Sequence, residues 1–356
     1  MSAPAPRQEA PTAIERVFYP ERPERWGQRA LLAPLEVAAW GYGAGVRLRG
    51  ALYDAGVLRG ERVEGLRVIS VGNLNVGGTG KTPAVLYLAE LLVREGRKVG
   101  ILTRGYGRGT KEPVTFTGKG PLPSVEEAGD EPLLLARRCP EARLLVGADR
   151  RLLARRARDE FGLNVVLLDD GFQHRKLARD EDVVVVDEAV GFGNGRMLPR
   201  GPLREPLSAL SRATLIWVRA ATTPGPELPS LPAPRVRTRY RPTAWVDPVG
   251  AEHPTETLSG QPVLALAGLA RPGGFLRTLG ELGTEVRGTA FFPDHHLFSA
   301  RELQEVAARA ASLGARVVTT EKDLVRLPRD FEAWTVRLGV EVLEGESHLR
   351  RALGLG

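Results

Sequence analysis

From residue 66 to about residue 220, short β-rich apolar runs alternate with longer helix-like runs. That alternation is the signature of a parallel sheet covered by helices on both faces. It predicts strands at 68–71, 99–103, 144–146, 165–168, 183–186 and 215–218, with helices at 84–95, 132–138 and 149–160. A proline-rich stretch, 221–236 (ATTPGPELPSLPAPRV), interrupts the series. Beyond it a second βα series predicts strands at 263–267 and 317–319 and helices near 273–282 and 300–313. Four regions follow: a disordered extension at 1–24, an amphipathic segment at 25–65, an α/β core at 66–225, and a smaller C-terminal α/β domain at 226–356.

The turn after the first strand carries the most specific chemistry. Asn73-Leu-Asn-Val-Gly-Gly-Thr-Gly-Lys-Thr-Pro83 joins a hydrophobic strand to a helix. A glycine-rich turn in that position points backbone N–H groups inward to cradle phosphate oxygens. Residues 75–82 (Asn75, Val76, Gly77, Gly78, Thr79, Gly80, Lys81 and Thr82) would bind ATP. Lys81 would reach the β- and γ-phosphates, and the Thr82 hydroxyl would bind Mg²⁺. Pro83 suits the first helical turn, where its missing N–H is not needed. The P-loop pattern asks for glycine at its first position, and Asn75 stands there instead.

Composition narrows the rest. At 356 residues, 42% hydrophobic and 26% charged, the chain is an ordinary globular protein long enough for two domains. A single cysteine, Cys139, excludes an internal disulfide and a cysteine-based metal cluster. The net charge of +7 and pI near 9.8 invite a nucleic-acid partner. However, nine Lys/Arg against three acids lie between Arg67 and Lys119, around the phosphate loop. ATP and an anionic substrate account for that excess as well as DNA would. Residues 1–24 have no apolar core, so they are no signal peptide. The apolar stretch 31–46 is interrupted by Pro34 and Glu36 and is too short to span a bilayer. Residues 26–58 mix Trp26, Leu31, Leu35, Trp40, Tyr42, Val46 and Leu52 with arginines. Such a segment lies in a membrane interface or packs on the protein's own core.

Further motifs gather around the same crevice. The run 164–174 is a buried strand ending in Asp169 and Asp170, where a P-loop enzyme completes its Mg²⁺ shell. Gln173 and His174 follow on the loop. Thr103-Arg-Gly-Tyr-Gly-Arg-Gly109 ends the next strand; Arg104 and Arg108 could hold phosphates and Tyr106 could cover a ring. Gly129-Asp-Glu-Pro132 opens a helix, either as a cap or with Asp130 as a base. The irregular loop 193–206 carries Arg196, Arg200 and Arg204 and reads as a substrate grip. Phe291-Phe-Pro-Asp-His-His296 offers an Asp–His pair. Thr319-Thr-Glu-Lys-Asp323 has the wrong order for a guanine-specifying motif.

The motifs GNLNVGGTGKTP, TRGYGR, GDEP, LDDGFQHR, GRMLPRGPLREP, DHH and TTEKD occur in that order within 66–323. Together they resemble the tetraacyldisaccharide 4′-kinases, the lipid A 4′-kinases of Gram-negative envelope synthesis. The resemblance implies a P-loop NTPase core and ATP-dependent phosphorylation of the 4′-hydroxyl of a tetraacyldisaccharide 1-phosphate, giving lipid IVA. It implies a peripheral position on the cytoplasmic face of the inner membrane, a lipid substrate, and neither a nucleic-acid nor a protein partner. Carried over, Lys81 and Thr82 would hold phosphates and Mg²⁺, with Asp169 and Asp170 near the metal. Arg104, Gln173, His174 and Arg204 would meet substrate. Asp130 would be the base, with Asp294 and His295 assisting from the smaller domain; either Asp130 or His295 takes the proton. Two other classes remain: a P-loop nucleotide-switch ATPase acting on a protein or DNA partner, and a nucleic-acid-binding NTPase.

Overall fold

A computed structural model describes residues 13–20, 24–221, 225–269 and 272–355. Three helices come first: α1 (Ala13–Phe18), α2 (Trp26–Leu31) and the long α3 (Ala33–Asp54). The first α/β half runs β1 (Arg67–Gly72), α4 (Lys81–Arg94), β2 (Val99–Thr103), β3 (Val114–Thr117), α5 (Val125–Ala128), α6 (Asp130–Arg138) and β4 (Arg143–Val146). It continues through α7 (Arg150–Asp159), β5 (Val165–Asp169), β6 (Glu181–Asp187) and β7 (Leu215–Arg219). The second half comprises β8 (Arg235–Val246), β9 (Glu252–His253), β10 (Pro262–Gly268), α8 (Gly273–Glu281), β11 (Glu285–Phe292) and α9 (Ala300–Ser312). It closes with β12 (Arg316–Thr320), α10 (Glu321–Leu324), β13 (Trp334–Glu344) and α11 (Glu346–Leu353).

Every strand and helix expected from the sequence is present. Strands β3, β8, β9, β11 and β13 are additions, and β8 shows why. Its sequence, RVRTRYRPTAWV, places arginine at alternate positions and leaves half its length in partial contact with water, so no apolar run announces it.

The strands form one continuous sheet, ordered β11-β10-β12-β13-β8-β7-β6-β1-β5-β2-β4-β3, with β9 paired to β8. Strand β8 runs parallel to β7 at its start and antiparallel to β13 along its length. Strands β12, β10 and β11 are parallel to β13. The two half-sheets therefore point in opposite directions, each with its carboxyl ends toward the other. Ligands of open α/β sheets bind beyond the carboxyl ends of the strands. Here two such edges face one cleft. The expected division at 225/226 precedes β8, but β8 and β13 span both halves.

Alternate residues of each buried strand serve opposite faces. In β1, Ile69 and Val71 pack with α4, α6 and α11, while Val68 packs with α7. In β10, Val263, Ala265 and Ala267 meet α8, and Leu264 and Leu266 meet α9. Burial on both sides is why these strands read as continuous apolar runs.

The N-terminal region corrects one expectation. Residues 1–12 and 21–23 lie outside the described residues, but 13–20 are ordered rather than structureless. Asn194 donates its side-chain amide to the Val17 carbonyl at 2.8 Å and its backbone N–H to that of Phe18 at 2.8 Å. Glu24 pairs with Arg200, which is 2% exposed and is also approached by Glu36. Helix α3 buries only Ala39 and Gly43, so it is not an ordinary core helix. Trp26 is 85% and Trp40 68% exposed, beside exposed Leu31, Val37 and Leu48. Among the described residues no helix is long and apolar enough to cross a membrane.

Candidate active site

The phosphate loop is built as its sequence asks. Gly77 (φ 102°) and Gly80 (φ 84°) take the left-handed conformations that side chains resist, and α4 starts at Lys81. At Gly80 a Cβ would also strike the Tyr240 ring at 2.6 Å. Tyr240, from β8, donates its hydroxyl to the Gly80 carbonyl at 2.8 Å and accepts from Trp217 Nε1 at 3.2 Å. Asn75 explains its departure from the P-loop pattern: its side-chain amide donates to the Gly191 carbonyl at 2.9 Å. The next backbone N–H, of Val76, donates to Pro202 at 2.8 Å. The loop is thereby tied to the segment 191–206. Asn73 donates to Thr79 Oγ1 at 2.7 Å and accepts from Lys81 Nζ at 3.2 Å. Thr82 sits half-buried in the first turn of α4.

The two carboxylates ending β5 part company. Asp169 is buried and accepts from Thr103 Oγ1 at 3.2 Å. Burial, together with the charges of Glu131 and Asp170, pushes its carboxyl up to about 7. Asp170 turns the other way, with φ 53°, and accepts both terminal nitrogens of Arg204 at 2.9 Å; Lys81 lies at 3.4 Å. Crowding opposes its charge, but Arg204 and Lys81 prevail and hold it down to about 2. Asp170 is thus an anion already paired with two side-chain cations. Asp169 is the carboxylate that lacks a cation.

A second group forms where the two halves meet. Asp130, at the start of α6, is buried and lies 2.9 Å from Nδ1 of His295, in the loop after β11. His295 has φ 60°; it and Asp170 are the non-glycine residues with positive φ among those described. Strained backbone held in place by its surroundings marks functional positions. Asp294 accepts the His295 backbone N–H at 3.0 Å. Lys322, from α10, reaches Asp294 at 2.9 Å and Nε2 of His295 at 3.4 Å. Tyr106 covers the His295 ring at 5.6 Å between centroids. His296 points away, stacked on Phe292 and paired with Glu302.

Other expected substrate contacts sort differently. Gln173 braces the phosphate loop by donating to the Asn73 carbonyl at 3.0 Å. Burial and neighbouring arginines push His174 down to about 4, so its ring is neutral. Arg204 faces the loop, whereas Arg196 and Arg200 are spent on Glu36 and Glu24. Arg108 donates to the carbonyls of Glu112 and Lys111, holding its own loop together. Arg104 is exposed just beyond β2.

A family model described as tetraacyldisaccharide-1-P 4′-kinase matches residues 29–354. The chain belongs to that family. A relative from Anaeromyxobacter sp. (strain Fw109-5), named tetraacyldisaccharide 4′-kinase, is 46% identical, with 96% of both chains covered. Another of that name, from Anaeromyxobacter dehalogenans (strain 2CP-C), is 48% identical over 96% of this chain and 95% of its own. The fold matches a crystal structure of LpxK from Aquifex aeolicus in complex with ATP, with a TM-score of 0.77 and 32% identity. That match covers 92% of this chain and 98% of the other. Membership of this kinase family does not favour the switch-ATPase or nucleic-acid readings.

Two of the cleft residues in this family member were not singled out by the sequence. Glu131 neighbours Asp169, and burial pushes its carboxyl up, with Lys322 and Asp130 acting on it next. Lys322 sits in the TTEKD motif. Both lay inside quoted motifs, but only the meeting of the two half-sheets makes them part of the site.

Proposed function

We propose that this chain transfers the γ-phosphoryl group of ATP to the 4′-hydroxyl of tetraacyldisaccharide 1-phosphate, giving lipid IVA. The observation that carries the reading is the Asp130–His295 pair, which joins the smaller half to the P-loop half that carries Lys81 and Arg204. Phosphoryl transfer to an alcohol needs charge neutralisation on one side and a proton acceptor on the other. Asp130 is buried beneath His295, Lys322 and Arg326, so the imidazole is the member of the pair that an acceptor sugar can reach.

In this reading the substrate O–H bond breaks as its oxygen bonds to the γ-phosphorus, and the proton passes to Nε2 of His295. The bond from the γ-phosphorus to the bridging oxygen breaks, and ADP leaves. Asp130 holds the ring and stabilises the imidazolium that forms. Lys81 and Arg204 face the phosphate chain. The donor set fits Mg²⁺: a buried carboxylate short of a cation (Asp169) beside the P-loop hydroxyl of Thr82. Those two residues would hold it, and Mg²⁺ bound with ATP would neutralise phosphate charge.

The acyl chains of the substrate keep it in a bilayer, so the cleft must reach the headgroup layer. Helix α3 supports this. Tyr42 donates to the Arg204 carbonyl at 2.9 Å and Arg49 to the Gln173 carbonyl at 3.0 Å. Helix α3, which carries the exposed Trp40, is thereby tied to the loops bordering the cleft. We therefore place the chain peripherally on the cytoplasmic face of the inner membrane, held by this apolar surface and its arginines. Incubation with [γ-³²P]ATP, Mg²⁺ and the monophosphorylated lipid tests the assignment. Label appearing in lipid supports it; label released only as inorganic phosphate contradicts it.

A further inference from the structure

The His295 ring lies between two carboxylates. Asp130 Oδ2 is 2.9 Å from Nδ1, and Asp294 Oδ2 is 3.6 Å from Nε2. Two acceptors around one imidazole favour a ring carrying protons on both nitrogens, and such a ring cannot accept another. Lys322 stands between Nε2 and the second carboxylate, 3.4 Å from the nitrogen and 2.9 Å from Asp294 Oδ1. An ammonium is a donor only, so the ring nitrogen facing it must keep its lone pair. The proton then resides on Nδ1, directed at Asp130. The ring also faces Glu131 on α6 and Tyr106 after β2, while Arg326, just past α10, lies 3.9 Å from Asp130.

We propose that Lys322 is a positioning residue for phosphoryl transfer: it neutralises Asp294 and selects the His295 tautomer whose Nε2 is open to the acceptor hydroxyl. The incoming hydroxyl replaces the ammonium at Nε2, and Lys322 remains anchored on Asp294. No covalent bond to Lys322 forms or breaks. Its ion pairs and hydrogen bonds run to Asp130, Asp294 and His295, and its charge also acts on Glu131. Its position in α10 is set by Thr320, whose side chain caps the helix through the Asp323 N–H.

The inference rests on the dyad reading above, and the experiment separates the two. Steady-state transfer is measured for Lys322→Met, Lys322→Arg, His295→Ala, and the doubles Lys322→Met/Asp294→Asn and Lys322→Met/His295→Ala. Lys322→Met is expected to lower kcat at least about tenfold at neutral pH, within the range of one acid–base contribution, with little change in KM for ATP. Lys322→Arg should retain most activity. Adding Asp294→Asn to Lys322→Met should restore activity by removing the competing acceptor. In the His295→Ala background, Lys322→Met should cost nothing further. ¹⁵N spectra of the full chain should show Nε2 of His295 losing its acceptor signature in Lys322→Met. A Lys322→Met enzyme with wild-type turnover overturns the inference. So does a loss that persists undiminished without His295. Full activity in His295→Ala would instead remove the dyad reading, and this one with it.

Discussion

Asp130 and His295 are 165 residues apart in the chain and 2.9 Å apart in space. One begins a helix of the P-loop half, and the other sits in a strained turn of the smaller half. Their contact exists only because the sheet reverses polarity at the β8–β13 pair and turns two sets of carboxyl ends toward each other. A bidentate link farther along α6, from Arg138 to Glu321 of α10 at 2.8 and 3.0 Å, holds the same two walls together.

Replacing His295 by alanine should lower kcat by about 10²–10⁴-fold, the usual contribution of a positioned general base. ATP affinity should be little changed, because the residue lies in the smaller half rather than in the phosphate loop. Nucleotide titration beside transfer kinetics checks this. Loss of ATP binding with normal turnover of bound substrate would count against the role.

Lys81→Ala removes a cation from the charge that develops on the transferred group. By analogy with removing one preorganised donor, it should cost about 3–4 kcal/mol or more, at least a hundredfold in turnover. The fold should persist, as seen by thermal melting. Wild-type transfer by this variant would refute the phosphate-loop assignment.

Asp169 links activity, metal and stability through pH. Its folded carboxyl is raised to about 7 from an ordinary value near 4. The folded state therefore holds a proton that the unfolded chain has already lost. Its contribution is full below about pH 4 and is lost as pH rises through about 7. Without nucleotide, Asp169→Asn should be more stable than wild type at pH 8 but not at pH 4, while losing activity. Melting curves at the two pH values decide it. Mg²⁺ affinity of the wild type should weaken as pH falls below about 7, since the site must release that proton.

Trp40→Glu with Leu48→Glu places two charges on the exposed side of α3. Association with anionic vesicles should weaken and become more salt-sensitive, while ATP binding survives. Vesicle flotation is the measurement. Unchanged binding by this variant would move the membrane contact elsewhere on the protein.

Glu24→Ala leaves the nearly buried Arg200 with Glu36 alone. Loss of a hydrogen bond to a charged group should cost about 1–3 kcal/mol in chemical denaturation. The loop carrying Arg204 should loosen with it, raising KM for ATP.

The sequence by itself determined the local chemistry of this protein. Strand, glycine turn and Lys-Thr are contiguous, and backbone conformation is set by neighbouring residues, so the phosphate loop was legible from 73–83 alone. Buried parallel strands also announce themselves, because both faces must be apolar. What only the tertiary structure decided is which charged residues work and which merely hold the fold. Asp169 and Asp170 are adjacent, yet one is buried beside a second carboxylate and the other is clasped by Arg204. Of the three arginines in 193–206, two are neutralised by Glu24 and Glu36, partners some 160 or more positions away. The arginine-laden β8 hid the hinge of the whole sheet, and with it the meeting of Lys322, His295 and Asp130. Charge neutralisation acts through space at a few ångströms, and no spacing along one chain encodes which distant partner will arrive.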